Sequence, residues 1–133
     1  MILTPIPSRQ IDFAWKDGAS SLGESCVDEC TTDQLRMLIA RGERQLVRMD
    51  DDGKSVGWGV FRIENLPNMN VMFITNMTAH NAHFEQFYSM LTDMAKDLGC
   101  SRIRFAAKPA QSRLYRMKLD ANPVYQILEK VIA

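Results

Sequence analysis

The sequence predicts an α/β protein built on a mixed sheet, in which an antiparallel meander leads into a parallel βαβ crossover and helices cover both faces. Three features favour this fold class. Two amphipathic stretches open the chain, three apolar runs joined by short turns follow in residues 44–77, and a long amphipathic stretch then separates two further apolar runs. Strand, helix and strand at that last spacing form a crossover, which makes the two strands parallel neighbours.

Composition indicates one ordinary soluble domain, 1–133. The 133 residues are 46% hydrophobic and 24% charged, which is typical of a globular chain. The 16 basic and 16 acidic residues cancel, so no overall field attracts nucleic acid or an anionic membrane. The sequence shows no signal peptide and no apolar run that could span a bilayer, and its 3 cysteines are an odd count that favours reduced thiols. We therefore expect a cytoplasmic protein.

The first part of the chain is predicted to form two helices. Ser8 can cap the first of them. The second lies in TTDQLRMLIARG, where Thr31 and Gln34 match a capping box and Gly42 stands where a helix ends. These signals give the second helix the clearer boundaries.

The pattern then changes to that of strands. RQLVRM and SVGWGVFRIE form a predicted hairpin around Asp52-Gly53, which is a strong signal for a two-residue turn. The acidic run at this turn lacks the spaced carboxylates and the distal Glu of a calcium loop, so we interpret it as a turn. LPN at 66–68 marks the next turn, and VMFITNM is the third strand of the meander.

The strongest helical pattern follows the meander. Its apolar residues recur at spacings of three and four and form one buried face, which Gly99 terminates: Phe84, Phe87, Tyr88, Leu91, Met94, Ala95 and Leu98. After this helix, SRIRFAA predicts a strand, AQSRLYRMKL a short helix, and VYQILEKVI a final strand.

The junction TNMTAHNAHFEQFY, residues 75–88, joins the third strand of the meander to this helix. The free N–H groups and the dipole of a helix N-terminus favour an anion at such a place. His80 and His83 also stand here, but no carboxylate or cysteine at a convincing spacing completes a metal site. We therefore expect no metal, and we interpret His80 as a cap or surface residue and His83 as a first-turn residue.

Three stretches make the chain resemble the GNAT family of N-acetyltransferases. DDGKSVGWGVFRI is similar to the family's hairpin, and FYSMLTDMAKDLGCSRIRFAA to its central helix and the strand that follows. SRLYRMKL and VYQILEKVI are similar to its later helix and closing strand. The resemblance covers most of the chain and lies mainly in element order and spacing. In length the chain is most similar to short members from tailed bacteriophages.

The resemblance implies transfer of an acetyl group from acetyl-CoA to an amine. The cofactor would enter a V-shaped opening between the two central parallel strands, with its pyrophosphate on the N–H groups at the start of the central helix. The family carries glycines in that loop, whereas AHNAHF, residues 79–84, has none and offers only Ala82 as a small residue. The residues implied for cofactor binding are Thr75, Met77, Asn81, Ala82, His83, Phe84, Lys108 and Arg113.

Two residues are candidates for catalysis, and the resemblance implies the first of them. Tyr115, in RLYRM, stands where a tyrosine of the family protonates the leaving thiolate. Glu64, at the end of the predicted hairpin strand, is the candidate base and would act through a water molecule.

Alternative functions remain open. The first alternative is an active N-acetyltransferase, whose acceptor is an amine-bearing small molecule or protein. The second is a catalytically inactive GNAT-like phage protein. The latter would act in virion assembly, virion structure or host interaction, with a phage or host protein as partner, in the host cytoplasm or the virion, and as a homo-oligomer. A third alternative uses the basic stretch 102–118 to bind nucleic acid, which the balanced charge counts against.

Overall fold

The computed structural model describes residues 1–26, 29–79 and 81–133, with Asn81 described through its backbone alone. One sheet of five strands runs in the spatial order β1-β2-β3-β4-β5. The strands are β1 (Ile2–Ile6), β2 (Gln45–Asp51), β3 (Lys54–Leu66), β4 (Met69–Ala79) and β5 (Arg102–Phe105). Neighbours from β1 to β4 are antiparallel, and β4 and β5 are parallel. The predicted meander and crossover are therefore confirmed.

Helices cover both faces of this sheet, as predicted. The helices are α1 (Ile11–Lys16), α2 (Thr32–Ala40), α3 (Phe84–Asp97) and α4 (Pro109–Leu119), with 3₁₀ turns at Ser8–Gln10, Ala19–Ser25 and Asn81–His83. α1, α2 and the second 3₁₀ turn bury their apolar side chains in a cluster on one face of the sheet, with Leu46, Trp58 and Val60. α3 buries its own in a second cluster on the opposite face, with Phe61, Met72 and Ile74.

Two local signals of the sequence are confirmed. The Thr31 side chain accepts a hydrogen bond from the Gln34 N–H at 3.1 Å, and the Gln34 side chain accepts one from the Thr31 N–H at 2.9 Å, so α2 begins with a capping box. At the hairpin turn, Asp52 and Gly53 have φ values of 50° and 75°, as a two-residue type I′ turn requires.

Two expectations at the ends of the chain are wrong. No strand was predicted at residues 2–6, but β1 lies there, contains Pro5 and pairs with β2 at an edge of the sheet. Proline removes a ladder donor and is tolerated at such an edge, so it did not prevent a strand there. The final strand predicted in VYQILEKVI is absent, and residues 120–133 have no regular secondary structure. β-propensity reflects packing against neighbouring strands, and no described strand pairs with this segment.

Two glycines bring α3 close to the sheet. A Cβ atom on Gly57 would lie 2.8 Å from Cε2 of Phe87 and 2.8 Å from the Thr78 carbonyl oxygen, and one on Gly59 would lie 3.2 Å from Phe87 Cζ. The fully buried Phe87 ring therefore rests directly on the backbone of β3. This contact fixes the start of α3 over the centre of the sheet.

Candidate functional site

β4 and β5 separate next to an irregularity in β4. Their parallel pairing runs from Val71 and Arg102 to Ile74 and Phe105, where β5 ends while β4 continues to Ala79. On the other side of β4, consecutive residues of β3 pair with Ile74 and with Asn76, so Thr75 is the extra residue of a β-bulge. A wedge therefore opens between the two strands immediately after their last paired residues.

The backbone of β4 borders this wedge over residues 75–79. Residues 76–79 pair with β3 along one edge of β4. On the other side, no strand of the described part of the chain pairs with them. An extended ligand that contains amide groups can add to such an edge through main-chain hydrogen bonds. Thr75 and Met77, both predicted to bind the cofactor, lie on this edge, with the Met77 side chain packed against the α3 cluster.

The bulge is tied to the opposite face of the sheet through Asn76. This buried side chain donates a hydrogen bond to Ser25 Oγ at 2.9 Å and lies 3.8 Å from the Cys26 sulfur. The sulfur of Cys30 lies 3.5 Å from that of Cys26, and both cysteines are free thiols. Burial, together with the neighbouring Cys30, raises the pKa of the Cys26 thiol to about 11. The neutral thiol is therefore the form that packs against Asn76.

The N-terminus of α3 lies at the end of the same strand. A 3₁₀ turn, Asn81–His83, leads into α3, and no described side chain caps the helix. Its first N–H groups are therefore available to an anion. None of residues 81–84 is among the described residues that have a positive φ, so none of these four positions requires glycine. Ala82 is exposed, and Nδ1 of His83 is buried without a hydrogen-bond partner among the described residues. His80 lies outside the described residues.

Four aromatic side chains meet beside the wedge, and we call them the aromatic cluster: Phe84, Tyr88, Phe105 and Tyr115. Tyr115, from α4, stacks on Phe84 with the ring centroids 5.3 Å apart and meets Phe105 edge to face at 4.6 Å. Tyr88 lies 5.1 Å from Phe105 and 5.9 Å from Tyr115. The cluster joins the first turns of α3, the end of β5 and the middle of α4, which places Tyr115 at the mouth of the wedge.

The two tyrosines of the cluster differ in their exposure. Tyr88 is 5% exposed, and this burial, followed by the nearby Tyr115 hydroxyl, raises the pKa of Tyr88 far above its ordinary value. Tyr115 is only half-buried. A ligand in the wedge can therefore contact Tyr115, while Tyr88 stays a neutral hydroxyl behind it. Sequence reasoning assigned Tyr88 to the core alone, although its spacing of four from Phe84 brings it to the cluster.

Glu64 lies apart from this group. Glu64 pairs with Val71, near the opposite end of β4, and its carboxylate lies 2.9 Å from the Arg62 guanidinium. Glu64 is four residues along β3 from Val60, which lies beside the bulge, or roughly 13 Å at the rise of a strand. Lys108 and Arg113 are exposed at the beginning of α4.

Lys118 is a basic side chain that reaches the start of α3. Its Nζ lies 3.1 Å from the carboxylate of Glu85, which is in the first turn of α3. In the sequence, Lys118 stands out only as the last residue of the basic stretch 102–118. Its position three residues after Tyr115, on the same face of α4, is the signal that could have identified it.

A cleft of about 280 Å³ lies beside the last residues of β4. Ser21, Ser55 and Thr78 provide hydroxyl groups in its lining, next to the Trp58 ring.

No three His, Cys, Asp or Glu side chains among the described residues lie close enough together to hold a metal ion. Within the same residues, no helix is long and apolar enough to cross a membrane.

Solved structures with the same fold are numerous. The ribosomal-protein-alanine N-acetyltransferase from Brucella melitensis biovar Abortus 2308 is 13% identical, with a TM-score of 0.72 over 99% of this chain and 100% of that one. The glucosamine-6-phosphate N-acetyltransferase from Arabidopsis thaliana is 16% identical, with a TM-score of 0.65 over 97% of each chain. An acetyltransferase from Trypanosoma brucei is 11% identical, with a TM-score of 0.64 over 98% of this chain and 99% of that one.

Sequence comparison gives no such relatives. No protein-family model matches the chain, and no curated protein sequence does. The structural likenesses establish the GNAT fold, and the mixed five-stranded sheet with its β4–β5 crossover agrees with them.

Proposed function

We propose that the protein is an N-acetyltransferase that binds acetyl-CoA in the wedge between β4 and β5. One observation carries this proposal, namely that the strands part at the Thr75 bulge at the end of the sheet where Tyr115 and the start of α3 meet. The GNAT fold supports it, because structures with this fold include N-acetyltransferases. Bulges are over-represented beside active sites.

The residues of the wedge fit the parts of this cofactor. The unpaired edge of residues 75–79 can exchange main-chain hydrogen bonds with its pantetheine amides. Backbone N–H groups of residues 81–84 would hold its pyrophosphate, and the buried Nδ1 of His83 could find its missing partner there. Lys108 and Arg113 would contact the outer phosphates. The exposed methyl group of Ala82, in place of a glycine hydrogen, keeps the phosphates further from the backbone.

Tyr115 is proposed as the general acid. Acetyl-CoA supplies a thioester whose carbonyl carbon is attacked by an amine. Tyr115 Oη would donate a proton to the leaving sulfur, since it is half-buried at the mouth of the wedge. Glu64 lies roughly 13 Å along β3 from Val60 beside the bulge, so the proton of the amine would pass to a water molecule, and the Tyr115 phenolate would regain a proton from solvent. The acceptor would be an amine-bearing small molecule or protein.

Cofactor binding is tested by thermal unfolding in the presence of acetyl-CoA and of CoA. A ligand at about 100 times its dissociation constant stabilises the native state by roughly 2.7 kcal/mol. Two variants that each replace an alanine by glutamate test where CoA binds, one at the proposed site and one as its control. Ala82→Glu should weaken CoA binding about tenfold or more, because the carboxylate repels the phosphates, whereas Ala40→Glu on the exposed surface of α2 should not. Absence of any shift at millimolar CoA would exclude the proposal.

The catalytic role is tested separately with Tyr115→Phe. Loss of a general acid should lower kcat by about 10²-fold or more while CoA affinity is retained. Tyr125→Phe is the control, because Tyr125 is an exposed tyrosine outside the aromatic cluster. If the two variants turn over equally fast, Tyr115 is not the acid.

A specific observation favours a second candidate, a GNAT-like protein that binds a partner without catalysis. Glu85 places a carboxylate in the first turn of α3, where a phosphate would have to bind, and Lys118 pairs with this carboxylate. The phage assembly or host-interaction role predicted from the sequence belongs to this candidate, with a phage or host protein as partner. CoA binding without turnover of any amine, or no CoA binding at all, would favour it.

A further inference from the structure

We propose that residues 124–132, here called the C-terminal segment, form a strand on the open edge of β5 of a second copy of the chain. Two copies would exchange these segments and form a symmetric dimer. The inference concerns an interaction surface and does not depend on the proposed acetyltransferase activity.

The first observation is the exposure of the C-terminal segment. Large apolar side chains occupy six of its nine positions, and all are exposed: Val124 63%, Tyr125 67%, Ile127 84%, Leu128 88%, Val131 77% and Ile132 97%. Single apolar side chains on a surface are ordinary, whereas a contiguous apolar stretch marks an interaction surface. The structure therefore contains a segment that needs a partner.

The second observation is the free edge of β5. β5 pairs with β4 alone among the strands of the described ranges, and that pairing is parallel. Parallel strands occur almost only inside sheets that are covered on both sides, and an open edge is a template for another strand. Ile103 and Phe105 of β5 pack against the α3 cluster, so a strand added here would continue an existing apolar layer.

The C-terminal segment has the character of the missing strand. Val, Ile, Leu and Tyr predominate in VYQILEKVI, and the β-branched and aromatic residues among them are favoured in strands. Alternation would place Tyr125, Ile127 and Val131 on one face and the other three apolar side chains on the opposite face. Apolar residues on both faces are expected of a strand that continues a covered parallel sheet.

The connection to α4 favours a second copy as the occupant. α4 ends at Leu119, Asp120 adopts a left-handed conformation with φ 53°, and Pro123 precedes the segment. The segment then lies exposed, away from its own β5. A short, constrained hinge of this kind favours exchange between copies over folding back. Because each copy offers one free β5 edge and one unpaired C-terminal segment, a two-fold dimer satisfies both needs at once.

Amide hydrogen exchange of the full chain, followed by NMR at two protein concentrations, tests the proposal. At high concentration, we expect slow exchange both for amides of residues 124–132 and for the β5 amides that point away from β4. On dilution to the monomer, both sets should lose protection together. Protection that persists in the monomer would mean that the segment pairs with its own β5, and absence of protection at every concentration would mean that it pairs with nothing. Either result overturns the proposal.

A pair of variants tests the surface by light scattering coupled to size exclusion. Ile127→Asp places a charge within the exchanged strand and should weaken the dimer at least about tenfold. Phe13→Asp is the matched control, since Phe13 is 79% exposed in α1, outside the C-terminal segment, and this variant should dimerise like the unmodified chain. A monomeric unmodified chain, or equal dimerisation of the two variants, would overturn the proposal.

Discussion

The middle of the sheet and its β5 end are packed very differently. At the middle, both faces of β3 are covered, and Val60 and Phe87 are completely buried on opposite sides. At the β5 end, every residue of α4 is described and none of them is buried. The Met117 side chain is 78% exposed. The comparison separates two tasks of the chain: the middle provides a rigid platform, and the β5 end leaves open the wedge, the aromatic cluster and a strand edge.

The largest expected effect is on the platform. Phe87→Ala should lower the free energy of unfolding by about 3–5 kcal/mol, because it leaves a cavity between α3 and β3. Met117→Ala in α4 should change it by no more than about 0.5 kcal/mol. Urea unfolding of both variants measures the contrast, and similar losses would show that the two regions are equally packed.

The glycine contact gives the next effect. Gly57→Ala should destabilise the protein by about 1–3 kcal/mol, since the added methyl group would lie 2.8 Å from Phe87 and from the Thr78 backbone. Ser55→Ala, on an exposed residue of the same strand, is the control and should be near neutral. Combining Gly57→Ala with Phe87→Leu should recover part of the loss, and strict additivity would argue against the contact.

Helix starts provide a smaller contrast between the two regions. Thr31→Ala removes the side-chain cap of α2 and should lower the free energy of unfolding by about 1 kcal/mol. Lys108→Ala at the start of α4 should have little effect, because Lys108 provides no side-chain cap there. Chemical unfolding of both variants decides the matter, and a larger loss for Lys108→Ala would reverse the comparison.

A last expected effect is a pH dependence at Cys26. Its folded pKa of about 11 lies above the ordinary thiol pKa of 9.0, so the neutral thiol is favoured in the folded state. The stabilisation is therefore complete below about pH 9 and is lost as pH rises to about 11. Unfolding measured across this window should show a smaller alkaline loss for Cys26→Ser than for the unmodified chain. An identical loss would mean that the thiol does not titrate in this way.

The sequence predicted those parts of the fold that depend on neighbouring residues. The capping box at Thr31, the turn at Asp52-Gly53 and the buried face of α3 all follow from short-range patterns. β1 and the unpaired C-terminal segment were predicted wrongly, because a strand exists only where a distant partner pairs with it.

The candidate site was predicted only in part, for a related reason. The resemblance indicated the opening between β4 and β5 and the place of Tyr115. The bulge at Thr75 depends on the register between β3 and β4, which a single sequence does not reveal. The distance of Glu64 from the wedge depends on that same register, and the Lys118–Glu85 pair depends on how α4 lies against α3.

The bulge at Thr75 also changes which residues of β4, even-numbered or odd-numbered, face α3. Before it, the even-numbered Met72 and Ile74 face α3, whereas beyond it the odd-numbered Met77 and Ala79 do. Asn76 can reach Ser25 on the other face only because this one residue inverts the alternation. If Thr75 paired regularly with β3 and no bulge formed, Asn76 would turn into the apolar layer under α3 and Met77 out of it, whereas deleting Thr75 would leave a regular strand with both side chains on their present faces. The strand is thus two half-strands of opposite parity, and the candidate site lies where they meet.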